Sequence, residues 1–186
     1  MKPYYQKDGI TIYNGDCREV MAGLPDNSCG LTVTSPPYNM RTRIRNGEYT
    51  TREQTAHFSR KYEHFGDALS PQEYYEFHSH AIREMMRISN TVLWNIQIVT
   101  GSKEAVFRMI GDFAKEIKDI IVWDKGHGQP AMHDNVINKA AELILIFEKN
   151  ATAGREFSRS FFPRGEMTDI WRMKRGNNTE SHGATF

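Results

Sequence analysis

Two adjacent prolines, Pro36 and Pro37, constrain this 186-residue chain more than any other feature. Each fixes φ at about −65° and lacks an N–H, so neither can sit inside a helix or a central strand. They follow Leu31-Thr32-Val33-Thr34, a β-branched run that reads as a strand forced to stop at Ser35. The product is a stiff corner carrying the Ser35 hydroxyl, carbonyls that point outward without internal partners, and the ring of Tyr38. A planar ring bearing an amino group needs acceptors in its plane for the amino hydrogens and an aromatic face to stack on. Ligands of open α/β sheets bind beyond the carboxyl ends of the strands, where this corner falls.

The chain around it reads as alternating elements. Ile10-Thr11-Ile12-Tyr13 is a short strand, Asn14-Gly15-Asp16 turns, and Cys17, Val20, Met21 and Leu24 recur at helical spacing. With the Leu31 strand this predicts one βαβ unit in the first 40 residues. Ser70-Pro71-Gln72-Glu73 predicts a capped helix start, with Tyr74, Phe77, Ala81, Met85 and Ile88 as the buried face. Thr91–Gln97 reads as a buried strand, Lys103–Ile117 as a second amphipathic helix, and Asp119–Trp123 as another strand. Glu142–Phe147 follows without an intervening helix, so the last two strands are expected to pair antiparallel at the sheet edge. Asp169–Met173 is a final short strand. The class is α/β, a Rossmann-like, mostly parallel sheet with an antiparallel edge hairpin.

Residues 39–69 show no sustained period and read as a mobile basic loop beside the corner. Six Lys/Arg stand against two acids between 41 and 61, in a chain of net charge +1. Residues 150–186 form a basic tail. Two cysteines, Cys17 and Cys29, fit a reducing cytoplasm better than a disulfide framework. Met1-Lys2-Pro3-Tyr4-Tyr5 does not read as a signal-peptide h-region, and the longest apolar runs reach about half a membrane span. His127 and His133 lack the cysteine or acidic cluster of a metal set. His78 and His80, at i and i+2 on a helix, diverge.

Thr34-Ser35-Pro36-Pro37-Tyr38 resembles the (D/N/S)PP(Y/F/W) motif of S-adenosylmethionine-dependent amino-methyltransferases, above all DNA methyltransferases acting on adenine N6 or cytosine N4. Only 34 residues precede Ser35, too few for a cofactor half of two or three βα units. The resemblance is therefore to the circularly permuted, β-type group, in which the catalytic half comes first. Gly15-Asp16-Cys17 resembles its strand end near the cofactor adenine. Val92–Gln97, Ile121–Lys125 and Glu142–Phe147 resemble successive strands of its catalytic half. His182-Gly183-Ala184-Thr185-Phe186 resembles the opening of its His-Pro-x-x-Phe segment, with Gly183 where Pro is usual. The Phe-x-Gly-x-Gly cofactor loop has no counterpart, so the expectation is a single catalytic domain, residues 1–186, lacking most of its C-terminal cofactor half.

That resemblance implies methyl transfer from S-adenosylmethionine to the exocyclic amino group of a flipped cytosine (N4) or adenine (N6) in double-stranded DNA. Ser35, Pro36, Pro37 and Tyr38 are the implied catalytic residues. The Ser35 Oγ and the Pro36 carbonyl would accept the amino hydrogens, and Tyr38 would stack on the base. Asp16, Cys17, Thr34, His182 and Phe186 are implied to hold the cofactor. Asn39, Arg41, Arg43 and Arg45 are implied to contact DNA. Serine at the first motif position leans toward cytosine N4. The alternative is a non-catalytic DNA-binding remnant or one fragment of a split enzyme. A homodimer or a complementary C-terminal fragment is the further partner expected. The expected setting is the cytoplasm, for a bacterial, archaeal or phage-encoded protein.

Overall fold

In the computed structural model the described residues are 2–39, 69–128, 134–149, 151, 156–157 and 162–173, with the backbone alone of 44–45 and 48–49. The chain opens with a hairpin, β1 (Tyr5–Lys7) against β2 (Ile10–Ile12), closed by Asp8 at φ 50° and Gly9 at φ 79°. Positive φ at both central residues is the two-residue hairpin turn whose twist suits flanking strands. All six strand residues are exposed, and the hairpin stands apart from the main sheet. This corrects the expected βαβ unit at the start of the chain: Ile10–Ile12 pairs backwards with Tyr5–Lys7, not with the Leu31 strand.

The helix α1 (Cys17–Ala22) is capped by Asp16, whose side chain accepts from the Arg18 N–H. It leads to β3 (Cys29–Thr34), the strand that delivers the proline corner. Beyond the backbone hairpin of β4 (Ile44–Arg45) and β5 (Glu48–Tyr49), α2 runs Pro71–Ile88 with the predicted capping box of Ser70 and Glu73 in place. Then come β6 (Ser89–Ile96), α3 (Lys103–Asp112), β7 (Ile117–Asp124), β8 (Ala141–Glu148) and β9 (Ile170–Arg172). The second amphipathic helix is shorter than its pattern, because Ile117 is claimed by the sheet opposite Phe147.

The main sheet has the order β3-β6-β8-β7-β9. β3 and β6 pair parallel, as do β7 and β9, while β8 runs antiparallel to both its neighbours. Four strands therefore point one way and only β8 opposes them, which keeps the class expected from sequence. The antiparallel pair of β7 and β8 is present, but it is not at the edge: β8 is inserted between β6 and β7, and β9 covers β7. The parallel connection from β3 to β6 passes through α2.

On one face α2 and α3 lie over Val92, Trp94, Ile96, Leu145 and Phe147, with Tyr74, Ile82, Met85, Val106 and Met109 between. Each large apolar side chain fully buried there stabilises by about 1.5–3 kcal/mol before the entropy of ordering it. Arg87, near the end of α2, donates to the carbonyls of Met21 at 2.6 Å and Leu24 at 2.9 Å, holding the end of α1 against α2. The opposite face carries a smaller cluster of Ile121, Ile144 and Ile146 with Leu93, Trp123, Phe157 and Trp171. By register Leu31 and Val33 lie on this second face beside Leu93, and they are 52% and 68% exposed. Among the described residues β3 is an edge strand with its outer side unpaired. No helix among those residues is long and apolar enough to cross a membrane.

Candidate active site

The carboxyl ends of β3, β6 and β7 and the start of β8 meet at one rim of the sheet, a consequence of β8 running against the others. Ser35 leaves the end of β3 there. Its Oγ lies 3.0 Å from the Tyr38 hydroxyl, so the two side chains of the Ser-Pro-Pro-Tyr corner close on each other. The Tyr38 hydroxyl donates to Glu142 Oε2 at 2.8 Å. Asn95, near the end of β6, places its amide Nδ2 2.9 Å from Tyr38 Oη, 2.7 Å from Glu142 Oε2 and 3.4 Å from Ser35 Oγ. Lys125, directly after β7, donates to Glu142 Oε1 at 2.7 Å.

The Lys125 and Glu142 side chains are only 12% and 10% exposed. Burial works to raise the Glu142 carboxyl, and the hydrogen bonds from Lys125, Asn95 and Tyr38 outweigh it, holding the group below the usual carboxylate range. It is therefore ionised at neutral pH. A near-buried ion pair adds little net stability, because desolvation consumes most of the Coulombic gain. Its place beneath the corner is the more informative fact.

The corner is clamped from the other side by α2 and by its own exit. Tyr74, fully buried, donates its hydroxyl to the Pro37 carbonyl at 2.6 Å. The expectation that the corner's carbonyls lack internal partners is thus corrected for Pro37; among the described residues Pro36's carbonyl accepts no hydrogen bond. Asn39, expected at the DNA, is fully buried with φ 56°, a left-handed backbone that asparagine tolerates. Its side chain binds the backbone of Leu69 twice and the Gly101 carbonyl once. A side chain so enclosed cannot reach a base edge, and Asn39 is a clip joining the corner to the loops before α2 and α3. Tyr38 packs half-buried against the main core with its hydroxyl turned inward, not as a free-standing platform.

Of the residues expected to hold a cofactor, Thr34 ends β3, pairs with Trp94 and adjoins Ser35. Asp16 binds Arg18 through both carboxylate oxygens, at 2.6 Å on the shorter arm, and that hydrogen bonding keeps its carboxyl below the usual range against a smaller effect of burial. The Arg18 guanidinium lies over the Phe77 ring, one turn along α2 from the Tyr74 that holds the corner. Cys17 is exposed in the first turn of α1. His182, Phe186, Arg41 and Arg43 lie outside the described residues, and Arg45 is described by its backbone alone, paired with Glu48.

Three residues of the network, Asn95, Lys125 and Glu142, are absent from the sequence-derived candidates. Each does leave a mark in the sequence, as a polar residue set against an apolar strand. Asn95 interrupts Val92–Ile96, Lys125 follows Ile120–Trp123, and Glu142 opens Leu143–Phe147. Among the described residues no group of three or more His, Cys, Asp or Glu is placed to hold a metal ion.

The N6/N4 methyltransferase family model, described as DNA methylase, matches residues 30–183. The type II methyltransferase M2.MboI of Moraxella bovis is 23% identical, the match covering 93% of this chain and 64% of its own. The type II methyltransferase M.BglII of Bacillus subtilis is 28% identical over 154 residues, 74% of this chain and 35% of its own. Among solved structures, the cytosine-N4-specific PvuII DNA methyltransferase superposes with a TM-score of 0.64 at 14% identity, over 96% of this chain and 62% of its own. A Thermus thermophilus protein described as a DNA modification methylase, solved with S-adenosyl-L-methionine, gives 0.50 at 20% identity, over 85% of this chain and 66% of its own. At such identities the structural likeness speaks for the fold. The chain spans less than two thirds of the length of M2.MboI and of the PvuII enzyme.

Proposed function

The chain belongs to the N6/N4 DNA methylase family, and from that premise we propose that it carries the base-binding, catalytic part of a DNA methyltransferase acting on the exocyclic amino group of cytosine (N4) or adenine (N6). One observation carries this reading: Ser35 and Tyr38, joined at 3.0 Å, stand at the carboxyl end of β3 with the Pro36 carbonyl between them in sequence. The amino nitrogen of either base is a poor nucleophile, because its lone pair is delocalised into the ring. Acceptance of its two hydrogens by Ser35 Oγ and the Pro36 carbonyl draws the nitrogen toward tetrahedral geometry and frees the lone pair. The target atom is hidden in a duplex, so the base is flipped out, and the half-buried ring of Tyr38 lines its seat.

The methyl donor is S-adenosylmethionine, whose sulfonium supplies an electrophilic methyl group. Thr34, adjoining Ser35, and Asp16, an ionised carboxylate whose side chain is still 34% exposed, fit that cofactor, with Cys17 beside Asp16. His182, Phe186, Arg41, Arg43 and Arg45 keep their proposed roles toward cofactor and DNA by sequence resemblance. The edge of β3, unpaired among the described residues and with Leu31 and Val33 exposed, favours a second element of the reading. A further segment, from a complementary fragment or a second copy, completes the sheet there and strengthens cofactor binding.

The test is transfer of tritiated methyl from S-adenosylmethionine to a mixed-sequence duplex. Incorporation that vanishes with Ser35→Ala supports the reading. A chain that binds the duplex but neither binds the cofactor by calorimetry nor incorporates label is instead the non-catalytic DNA-binding remnant.

A further inference from the structure

A tyrosine hydroxyl has one proton, and in this site it is already spent. Glu142 is an ionised carboxylate that can only accept, and it takes the Tyr38 proton at 2.8 Å. Tyr38 Oη is then left with lone pairs alone for its other neighbours. The 3.0 Å contact between Ser35 Oγ and Tyr38 Oη must accordingly use the serine proton, with Ser35 donating inward. The direction of one bond at the bottom of the network fixes the direction of the next.

We propose that Glu142, secured by Lys125, is a positioning residue that sets the polarity of this chain of hydrogen bonds, so that Ser35 turns lone pairs rather than its proton toward the base. Serine by itself has no such preference, since its hydroxyl rotates to donate or accept as its surroundings ask. An outward-pointing Ser35 proton would oppose the amino hydrogens it is meant to receive and would select a ring carbonyl in their place. The inference rests on the proposed function and deepens it. It identifies what lets the site favour amino-bearing bases, cytosine and adenine, over their carbonyl counterparts, uracil and hypoxanthine.

The two oxygens of Glu142 have separate duties, Oε1 toward Lys125 and Oε2 toward Tyr38 and Asn95. All three neighbours present donors, so an amide at position 142 has no good orientation. With Glu142→Gln, the Lys125 charge claims the amide oxygen and the amide nitrogen faces Tyr38. The Tyr38 proton then turns to Ser35 and the serine proton turns outward. Adding Lys125→Gln supplies an acceptor for the amide nitrogen, frees the amide oxygen to receive the Tyr38 proton, and restores the native direction without any charge.

The experiment compares the wild-type chain, Glu142→Gln, and Glu142→Gln with Lys125→Gln, each verified as folded by circular dichroism. Two readouts are taken: steady-state methylation kinetics, and saturation-transfer NMR of deoxycytidine and deoxyadenosine against deoxyuridine and deoxyinosine. The single variant should lose about 100-fold in kcat, the effect of one misdirected acceptor in a preorganised site, with KM for DNA within about twofold. Its preference for amino nucleosides should vanish or reverse. The double variant should recover about 10-fold of the lost kcat together with the native preference. An active wild type with unchanged kcat and unchanged nucleoside preference in Glu142→Gln overturns the polarity inference and leaves the proposed function standing. A wild type that neither methylates nor prefers amino nucleosides overturns both.

Discussion

Asn39 grips Leu69 from both sides of the residue, its Oδ1 accepting from the Leu69 N–H at 2.8 Å and its Nδ2 donating to the Leu69 carbonyl at 2.9 Å. The same amide nitrogen reaches the Gly101 carbonyl at 3.1 Å. Asn39 thus sutures three chain segments at the foot of the Ser-Pro-Pro-Tyr corner. Asn39→Ala strands these backbone groups and puts alanine at a positive φ, so it should cost about 2–4 kcal/mol in urea unfolding. Duplex affinity per folded molecule should stay within about twofold, since the residue is enclosed. An affinity loss without a stability loss would return Asn39 to the DNA surface.

Tyr74 supplies the second clamp through its 2.6 Å bond to the Pro37 carbonyl. Tyr74→Phe keeps the ring in the core and removes this tie, at about 1–2 kcal/mol. On the proposed function, in which the corner holds Ser35 against an amino group, loosening it should cost more in rate than in binding, about 10-fold in kcat with KM little changed. Equal turnover in wild type and variant across a temperature series would indicate that the corner is rigid without Tyr74.

What the sequence discloses here tracks how local each signal is. The start of α2 is readable residue by residue, because Ser70, Pro71 and Glu73 act within one turn. Its buried face reads one position off at its centre: His78, not Phe77, enters the core, packed against Tyr74 and Trp94 with ring centroids 4.2 and 5.6 Å away. The opening hairpin carries its own local signal in Asp8-Gly9, the residues a two-residue turn demands, but the apolar run Ile10–Ile12 suggests a sheet strand more loudly. Insertion of β8 between β6 and β7 depends on pairing with residues some 50 positions away in sequence, which no local pattern records. The site divides the same way. Ser35 and Tyr38 are legible as a motif. Asn95 and Glu142 join them only through the strand order, across separations of 60 and 104 residues.

His78 makes stability depend on acid in a predictable direction. Burial lowers its pKa from the ordinary 6.5 to about 3, so the folded chain keeps it neutral. Below pH 6.5 the unfolded chain takes up a proton that the folded one refuses. Stability is therefore full above that pH and falls as the pH drops toward 3. At pH 5 the deficit from this group is about 2 kcal/mol. With His78→Leu the difference in unfolding free energy between pH 7.5 and pH 5 should shrink by about that amount. A variant as acid-sensitive as the wild type would place the proton uptake on other groups.

Val33 tests the uncovered side of β3. It lies two residues before Ser35, 68% exposed, on an edge strand whose outer backbone is unpaired among the described residues. An apolar edge of this kind is a template for pairing with another strand, and a lysine there is the usual means of blocking it. Because the side chain touches little of the core, Val33→Lys should change unfolding free energy by no more than about 0.5 kcal/mol. It should nonetheless weaken any association through this edge, read as a lower weight-average mass at rising concentration in sedimentation equilibrium. If a complementary segment completes the sheet here, the same substitution should also weaken cofactor binding while leaving Ser35 and its network intact. Unchanged association and unchanged cofactor affinity would mean that nothing docks along β3.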